Sequence, residues 1–457
     1  MKAIDLFCGA GGFSNGFEQA GVDVCYGVDI NEAALETFEQ NHDAEAVCWD
    51  ISTGVPESLA TIDVDIVFGS PPCKGFSDAR GSRQLDDERN KLVFSFIQWV
   101  AELQPEYVMM ENVAGMTTIS DEFLDAIDTE YEKIGYKVDW TKLNAANLGV
   151  PQTRERVIYF GLKKDSTVSP SLPEGMYRDS PEGQTSLSGE KLKTWRTVSD
   201  AFADLPEPTE DGVVELPSLS AFPENEFLRD VRDGAKKTWN HTAKTPADDK
   251  DTRDIVENLS PGEMYRSSRF GDRYRQVWDL LSHRFTEVEQ DSLHFIARHR
   301  TRSEFKMGDK SVGAVPDFKI AERLDHDEQS VYTALETLHS DGWVRTTEED
   351  ETIGYDLNTK SGIRPRYMRL DPDGQSNTIL TTDFAPRDKL HPTENRGLSL
   401  REGARIQSFP DSFKFVGTFD QIANQIGNAV PPLMGKHLAQ HLIEVDKSNR
   451  KSAKNRP

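Results

Sequence analysis

The sequence has little cysteine, no long apolar run and no surplus of positive charge. Only four of its 457 residues are cysteine (Cys8, Cys25, Cys48 and Cys73), all near the start and none in a Cys-x-x-Cys pair. That argues against a disulfide scaffold or a cysteine zinc site, so free thiols and no bound metal are expected. No stretch approaches the roughly 18 apolar residues needed to cross a bilayer, and mean hydropathy is −0.60. The first residues, MKAIDLFCGAGG, enter a strand and a glycine turn without a basic and apolar leader. A cytoplasmic protein with no membrane attachment is expected. Lys and Arg number 53 against 78 Asp and Glu, a net charge of −25. Taken as a whole, such a chain should be repelled by nucleic-acid phosphates.

What is present changes that expectation. A length of 457 residues, 36% of them hydrophobic, is room for about two or three domains with real cores. The acid is unevenly spread: net charge is −17 over residues 1–160, −14 over 161–359 and +6 over 360–457. Within the middle part, residues 264–310 carry 10 basic and 7 acidic side chains, with Tyr265, Phe270, Tyr274 and Trp278 interleaved. Residues 311–359 carry 3 basic and 12 acidic ones.

Short apolar runs alternate with amphipathic stretches through the first 162 residues, a rhythm that predicts βαβ units and a mostly parallel sheet. Strands are expected over 3–7, 24–28, 46–49, 66–68, 107–110 and 157–162, and helices over 14–20, 31–41, 90–103 and 121–134. Pro and Gly rise after residue 163 and the rhythm is lost until about 262, as in linkers and loops. Residues 318–357 then read as helix, turn, longer helix and two strands, an order similar to a winged helix.

The first strand runs from Asp5 and Phe7 into Gly9, Gly11 and Gly12 before a helix. Glycine permits close backbone approach and positive φ, and the helix N-terminus offers free N–H groups to an anion. The spacing is G-x-G-G, an imperfect dinucleotide fingerprint. Asp29, with Ile30, ends the next strand, where a carboxylate accepts from ribose hydroxyls. Asp50 ends the third, placed to accept from an adenine amino group with Ile51 beside the ring. Carboxylates on both following strand ends favour a nucleoside crevice over a plain strand-to-helix turn.

A fourth strand ends in Pro71-Pro72-Cys73. Two fixed φ angles hold Cys73 on a rigid turn at the carboxyl edge of the sheet, where ligands bind in such folds. A thiol needs only local help there to become a nucleophile; the plain alternative is a turn cysteine. The fifth strand ends in Glu111-Asn112, a carboxyl beside that turn and within reach of acid chemistry on an electrophilic base. Arg154 and Arg156 follow at period two, guanidinium forks suited to a carbonyl oxygen or a phosphate. A solvated strand edge is the plain alternative for them.

Together with these residues, eight blocks in order resemble the C5-cytosine DNA methyltransferases, which use S-adenosylmethionine. They are DLFCGAGGFSNGFEQAG (5–21), GVDIN (27–31), WDI (49–51), GSPPCKGFS (69–77), ENV (111–113), PQTRERV (151–157), ENRGLSLREGARIQSFPD (394–411) and QIGNAVPP (425–432). The resemblance implies an α/β fold: a Rossmann-like class I methyltransferase sheet over 1–162 with an inserted, loop-rich target-recognition region over 163–390. That region holds the basic stretch 264–310 and the winged-helix-like segment 318–357. Residues 391–446 would return to complete the catalytic domain, leaving 447–457 as a polar tail.

The resemblance also implies roles. Cys73, presented by Pro72, would add to cytosine C6, and Glu111 with Asn112 would contact N3 and the exocyclic amine. Arg156, with Arg154 nearby, would bind the base carbonyl or its phosphate and favour the thiolate. Asp5, Phe7, Gly9, Gly11, Gly12, Asp29, Ile30, Asp50, Ile51 and Pro71 would line the cofactor site, with Asn428 and Val430 returning to it. The base that takes the C5 proton is unassigned, and water is one option. A duplex buries C6, so the target cytosine must be flipped out. Residues 75–83 have the glycines and cations of a lid, with Ser77, Arg80 and Arg83 reaching phosphates.

For DNA contact outside the catalytic domain, Arg273 and Arg275 of the basic stretch and Arg364, Arg366 and Arg369 are the expected residues. The acidic winged-helix-like part is expected to pack or space rather than read bases, since groove readers bring cations. Double-stranded DNA is the expected partner of a monomeric enzyme, with a cognate restriction endonuclease beside it. A transfer-RNA methyltransferase of the same fold is one alternative, disfavoured by more than two hundred residues between PQTRERV and ENRGLSL. A catalytically idle DNA-binding regulator is another, disfavoured by the presence of Cys73 and Glu111. The −25 suggests a salt-loving source, because the screening length falls to about 3 Å in 1 M salt. Activity that holds in molar KCl is the expected result; a peak at low salt with collapse in molar KCl contradicts it.

Overall fold

The computed structural model describes residues 1–72, 91–118, 121–181, 184–186, 189, 191–232, 234–246, 250–265, 274–275, 279, 281–300, 302–305, 314–349, 352–358, 367–386 and 388–454. The chain divides into two compact units. One holds Met1–Ala243, Asp373–Phe384 and Ser399–Pro457, and the other Lys244–Pro372 and Ala385–Leu398.

The first unit is built on β1 (Lys2–Leu6), α1 (Gly12–Gln19), β2 (Asp23–Asp29), α2 (Glu32–Asn41), β3 (Glu45–Cys48), β4 (Ile66–Gly69), α3 (Lys91–Leu103), β5 (Tyr107–Val113), α4 (Asp121–Lys133), β6 (Tyr136–Asn144), β7 (Gln152–Thr153) and β8 (Glu155–Lys163). Seven of these strands form one sheet in the order β3-β2-β1-β4-β5-β8-β6. The pairings from β3 through β5 are parallel, and β8 runs antiparallel to both β5 and β6. Strand order reverses between β1 and β4, and the crevice outside the carboxyl ends at such a switch point is where ligands bind.

Alternate residues explain the two layers. Ala3, Val24, Phe68 and Met109 bury on one face with α1, while Ile4, Leu6, Val28, Val67, Val108 and Met110 bury on the other with α3 and α4. The apolar runs of β4 and of Tyr107–Met110 in β5 are those of strands covered on both sides, and β1 is interrupted inside only by Asp5. The expected strands and helices are present, with α1 beginning two residues early and β1 ending one residue sooner. The strand β6 was not foreseen: it lies at the sheet edge and has no continuous apolar run, and its signal is the period-two alternation of Tyr136, Val138 and Trp140 with Lys137, Asp139 and Thr141.

The C-terminal segment returns to this unit. Helix Leu400–Ile406 starts on a reciprocal Ser399/Glu402 capping box. In the helix Pro432–Lys454, Leu433, Met434, Leu438 and Leu442 share the core that contains Phe13 and Phe17. The approach is so close that a Cβ on Gly16 of α1 would lie 2.3 Å from the Pro432 carbonyl. This helix corrects the expectation of a polar tail from residue 447: it continues to Lys454. Asn449 fastens it, accepting on Oδ1 from the Thr167 backbone N–H at 3.0 Å and its hydroxyl at 2.9 Å.

Residues 163–243 also belong to this unit. Arg405, fully buried, binds Asp411 through Nε at 3.0 Å and through a second nitrogen at 2.7 Å, and reaches Asp204 at 2.5 Å. Arg232 also pairs with Asp204. Burying a charge is costly unless it is paired or fully hydrogen-bonded, so these ion pairs tie helices Val198–Phe202 and Glu226–Arg232 to the return segment.

In the second unit, helices Lys250–Asn258, Glu287–His299 and Glu328–Ser340 pack Ile255, Leu293, Ile296, Val331, Leu335 and Leu338 into one core. Helix Asp317–Ala321 and helix Glu328–Ser340 are followed by strands Val344–Glu349 and Thr352–Leu357, which pair antiparallel. Val315–Pro316 adds a third strand beside Thr352–Leu357. Asp356 accepts from Arg300 at 3.0 Å and from Arg345 at 2.6 Å, fastening the ribbon to a helix. One expectation is corrected here. Arg369, read as a DNA contact, is buried and donates to the carbonyls of Val256, Leu259, His391 and Glu394 and to Asn395 Oδ1. Its donors are committed to holding the unit together, which leaves no fork for a phosphate.

Candidate active site

The glycine turn after β1 is shaped by backbone that side chains rarely allow. Phe7, Gly9 and Gly11 have φ of 61°, 53° and 90°. The Gly9 N–H donates to Asp29 Oδ2 at 2.9 Å, and Asn31 N–H donates to Asp29 Oδ1 at 2.8 Å. Asp29 therefore fixes the turn as well as ending β2. A Cβ placed on Gly9 would meet nothing within 4 Å, so the turn borders open space. Gly11 caps helix α1 without a side chain and the Ser14 backbone N–H bonds the Asp5 carboxyl, which leaves the N–H groups before Ser14 for an anionic ligand.

Asp5 lies beneath the turn. Its Oδ2 accepts from the Ser14 hydroxyl at 2.7 Å, while Oδ1 is buried without a partner. Burial pushes its carboxyl well above the usual carboxylate range, against the pull of the Ser14 hydroxyl, and Asp29 and Glu18 add to the rise. Burial likewise raises the Cys8 thiol, reinforced by Asp5 and Asp29. At the third strand end, Asp50 is exposed, and the Ser52 hydroxyl at 2.7 Å and backbone N–H at 3.0 Å hold its carboxyl below the usual range. Ile30 is 67% exposed beside Asp29, an apolar platform at the crevice, whereas Ile51 is buried in the core. Val430 is buried with its carbonyl against Gly12, where a Cβ would come within 2.5 Å, and Asn428 is exposed at the end of helix Phe419–Asn428.

The neighbouring edge of the sheet is organised around the ends of β4, β5 and β8. Glu111 is buried, and its Oε1 lies 2.7 Å from Nε of Arg156. The register makes this contact: Glu111 faces Ile158 and Val113 faces Arg156, so the two charged residues are diagonal neighbours on one sheet face. Asn112 points the other way, and its Nδ2 donates to the Pro71 carbonyl at 3.0 Å. The strand end that carries Pro71 and Pro72 is thereby pinned beside Glu111. Cys73, the next residue, lies outside the described residues, as do Ser77, Arg80, Arg83, Arg273, Arg364 and Arg366; Arg275 is described only as part of the short strand Tyr274–Arg275.

The two arginines that period-two spacing suggested as partners have different surroundings. Arg156 meets Glu111, while Arg154 is buried and donates to the carbonyls of Ile379, Gly427 and Ala429 at 3.2, 3.3 and 3.0 Å. Arg154 thus attaches the return segment to the sheet. Gln152 was not singled out by the sequence reading and does similar work: its amide donates to Ile406 O and Gln407 Oε1 and accepts from Ile379 N–H. Its signal in the sequence was its place in the PQTRERV block at 151–157.

A switch-point crevice with carboxylates at successive strand ends lies beside a strand that ends in a buried Glu–Arg pair, at the sheet edge where α/β folds bind ligands. The chain belongs to the C-5 cytosine-specific DNA methylases, whose family model matches residues 1–444. It is a DNA (cytosine-5)-methyltransferase. It is 31% identical to the type II methyltransferase M.AgeI of Thalassovita gelatinovora, over 96% of this chain and 98% of that protein. It is 38% identical to the type II methyltransferase M.FnuDI of Fusobacterium nucleatum, over 97% and 94%. Among solved structures, a prophage-encoded protein described as a DNA modification methyltransferase (E. coli) superposes with a TM-score of 0.62 at 21% identity, covering 98% of this chain and 99% of that one; the likeness is one of fold. No helix among the described residues is long and apolar enough to cross a membrane.

Proposed function

We propose that this enzyme flips a target cytosine out of duplex DNA, adds Cys73 to its C6 and methylates C5 at a specific sequence, as the modifying half of a restriction–modification pair. The observation that carries the reading is the Asn112–Pro71 hydrogen bond, which holds the approach to Cys73 against the strand bearing the Glu111–Arg156 pair. The type II relatives support the restriction–modification context.

The residues present fit S-adenosylmethionine. The open space over Gly9, the N-terminus of α1 before Ser14, the carboxylates of Asp29 and Asp50 and exposed Ile30 match a charged amino acid, a ribose and an adenine respectively. Bound there, the cofactor supplies an electrophilic methyl group on a sulfonium.

Cytosine C5 is too weak a nucleophile to take that methyl unaided. The Cys73 thiolate forms an Sγ–C6 bond, the C5–C6 π pair becomes available at C5, and Glu111 supports the charge that develops at N3. Arg156 keeps the Glu111 side chain in register and places a cation beside the base. After the methyl is on C5, the C5 proton leaves to a base and the electron pair expels Cys73, restoring the aromatic ring. The enzyme acts as a monomer, and its basic stretch 264–310 meets the phosphates.

Methyl transfer to duplex DNA and to transfer RNA, read by bisulfite sequencing, tests the proposal. Methylation confined to cytosines within one short duplex sequence is expected; label in transfer RNA alone, or in neither, contradicts it. Arg273→Ala with Arg275→Ala is expected to weaken DNA binding far more than Glu348→Gln with Glu349→Gln in a titration at fixed salt. Equal losses contradict the assignment of the basic stretch.

A further inference from the structure

His42, the residue after α2, has a fully enclosed side chain. Its Nδ1 lies 2.7 Å from Oε2 of Glu18 on α1. Its Nε2 is buried and has no hydrogen-bond partner. That nitrogen sits directly under the cofactor turn: a Cβ on Gly11 would fall 2.1 Å from it. One helical turn earlier Phe38 lies against the imidazole, ring centroids 4.4 Å apart. Phe38 in turn sits under Gly27 of β2, where a Cβ would come within 2.3 Å of its ring. Phe413 of the return segment closes the far side at 5.9 Å.

Phe38 and His42 therefore form one block between two pieces of backbone, the Gly9–Gly12 turn and the Gly27–Asp29 strand end. The same two pieces are bonded to each other by Gly9 N–H and Asp29. The thickness of the block and the tilt of its imidazole set how far apart they stand. An unpartnered buried nitrogen is costly, so an apolar ring would be the better filler if packing were the only demand. With Nδ1 held against Glu18, the Nε2 edge of the ring faces Gly11, where only a glycine leaves room for it. The Glu18 bond fixes the ring plane that such a contact requires.

We propose that His42, oriented by Glu18, is a positioning residue for the cofactor site: it supports the Gly11 turn from below and sets its distance from Asp29. The role rests on the reading that this crevice takes S-adenosylmethionine. It is absent from the motifs that identify the family in this sequence, because it acts through backbone and touches neither substrate nor cofactor.

The test is calorimetric binding of S-adenosylhomocysteine, with DNA binding and melting temperature measured on the same preparations. Because ångström-scale misplacement of binding groups is costly, His42→Ala and Glu18→Ala are expected to weaken product binding by about tenfold. DNA affinity should stay unchanged. His42→Phe, which keeps the ring volume without the Glu18 bond, should weaken it by an intermediate factor. Glu18→Gln, which still offers an oxygen to Nδ1–H, should restore most of the loss seen in Glu18→Ala. Steady-state kinetics should show a raised KM for S-adenosylmethionine at nearly constant kcat. Unchanged product affinity in His42→Ala overturns the role, and so does His42→Phe binding as well as wild type. If His42→Ala does not fold, the Glu18 variants carry the same comparison at a part-exposed position. Failure of the wild-type protein to bind S-adenosylhomocysteine would instead contradict the cofactor reading itself.

Discussion

Cys73→Ala is expected to abolish methyl transfer, lowering the rate by at least about four orders of magnitude, as losing the nucleophile does in covalent catalysis. The reason is chemical: without an Sγ–C6 bond, C5 never gains the electron density that attacks a sulfonium methyl. DNA affinity should fall little, since phosphate contacts that set position come from cationic side chains elsewhere. Tritium transfer and a parallel binding titration separate the two. A variant that still methylates at a measurable fraction of the wild-type rate would show that the Pro71-Pro72 turn presents something other than the nucleophile.

The second large effect belongs to Glu111. Glu111→Gln should lower kcat by about 10²–10³-fold, the range for removing a general acid or an electrostatic stabiliser, with DNA affinity close to wild type. Glutamine keeps an oxygen for Arg156 Nε, so the 2.7 Å contact has a neutral substitute and the strand end should hold its shape. What is lost is the carboxyl group at cytosine N3. Single-turnover rates at saturating DNA measure this directly. A variant with normal turnover would leave the Glu111–Arg156 pair as a structural tie alone.

Much of the sheet was legible because strands covered on both faces are largely apolar: 66–68 and 107–110 are so throughout, and 3–7 is so but for Asp5. Three polar interruptions at strand ends, Asp29, Asp50 and Glu111, stood out against those runs for the same reason. Edge strand β6 has no continuous apolar run; its signal is the weaker period-two alternation of a strand with one solvated side, Tyr136, Val138 and Trp140 against Lys137, Asp139 and Thr141. The separate surroundings of Arg154 and Arg156 could not be read from spacing. Period two places both on one face, but only the return of Gly427 and Ala429, more than 270 residues later, supplies the carbonyls that bind Arg154. Arg369 shows the converse. An arginine near other arginines reads as a phosphate contact until the fold surrounds it with five acceptors. The net charge misled in the same way, because a sum over 457 residues conceals two stretches, 264–310 and 360–457, that are net positive.

The central claim is that Cys73 attacks C6 of a flipped cytosine beside the Glu111–Arg156 pair. Its most direct test is mass spectrometry of the enzyme after incubation with S-adenosylmethionine and duplex DNA that carries 5-fluorocytosine at the target. Fluorine at C5 blocks the final elimination, so the account predicts one stable protein–DNA adduct, mapped to the peptide containing Cys73 and absent from Cys73→Ala. An adduct on any other residue, or methylated product with no adduct at all, would contradict it.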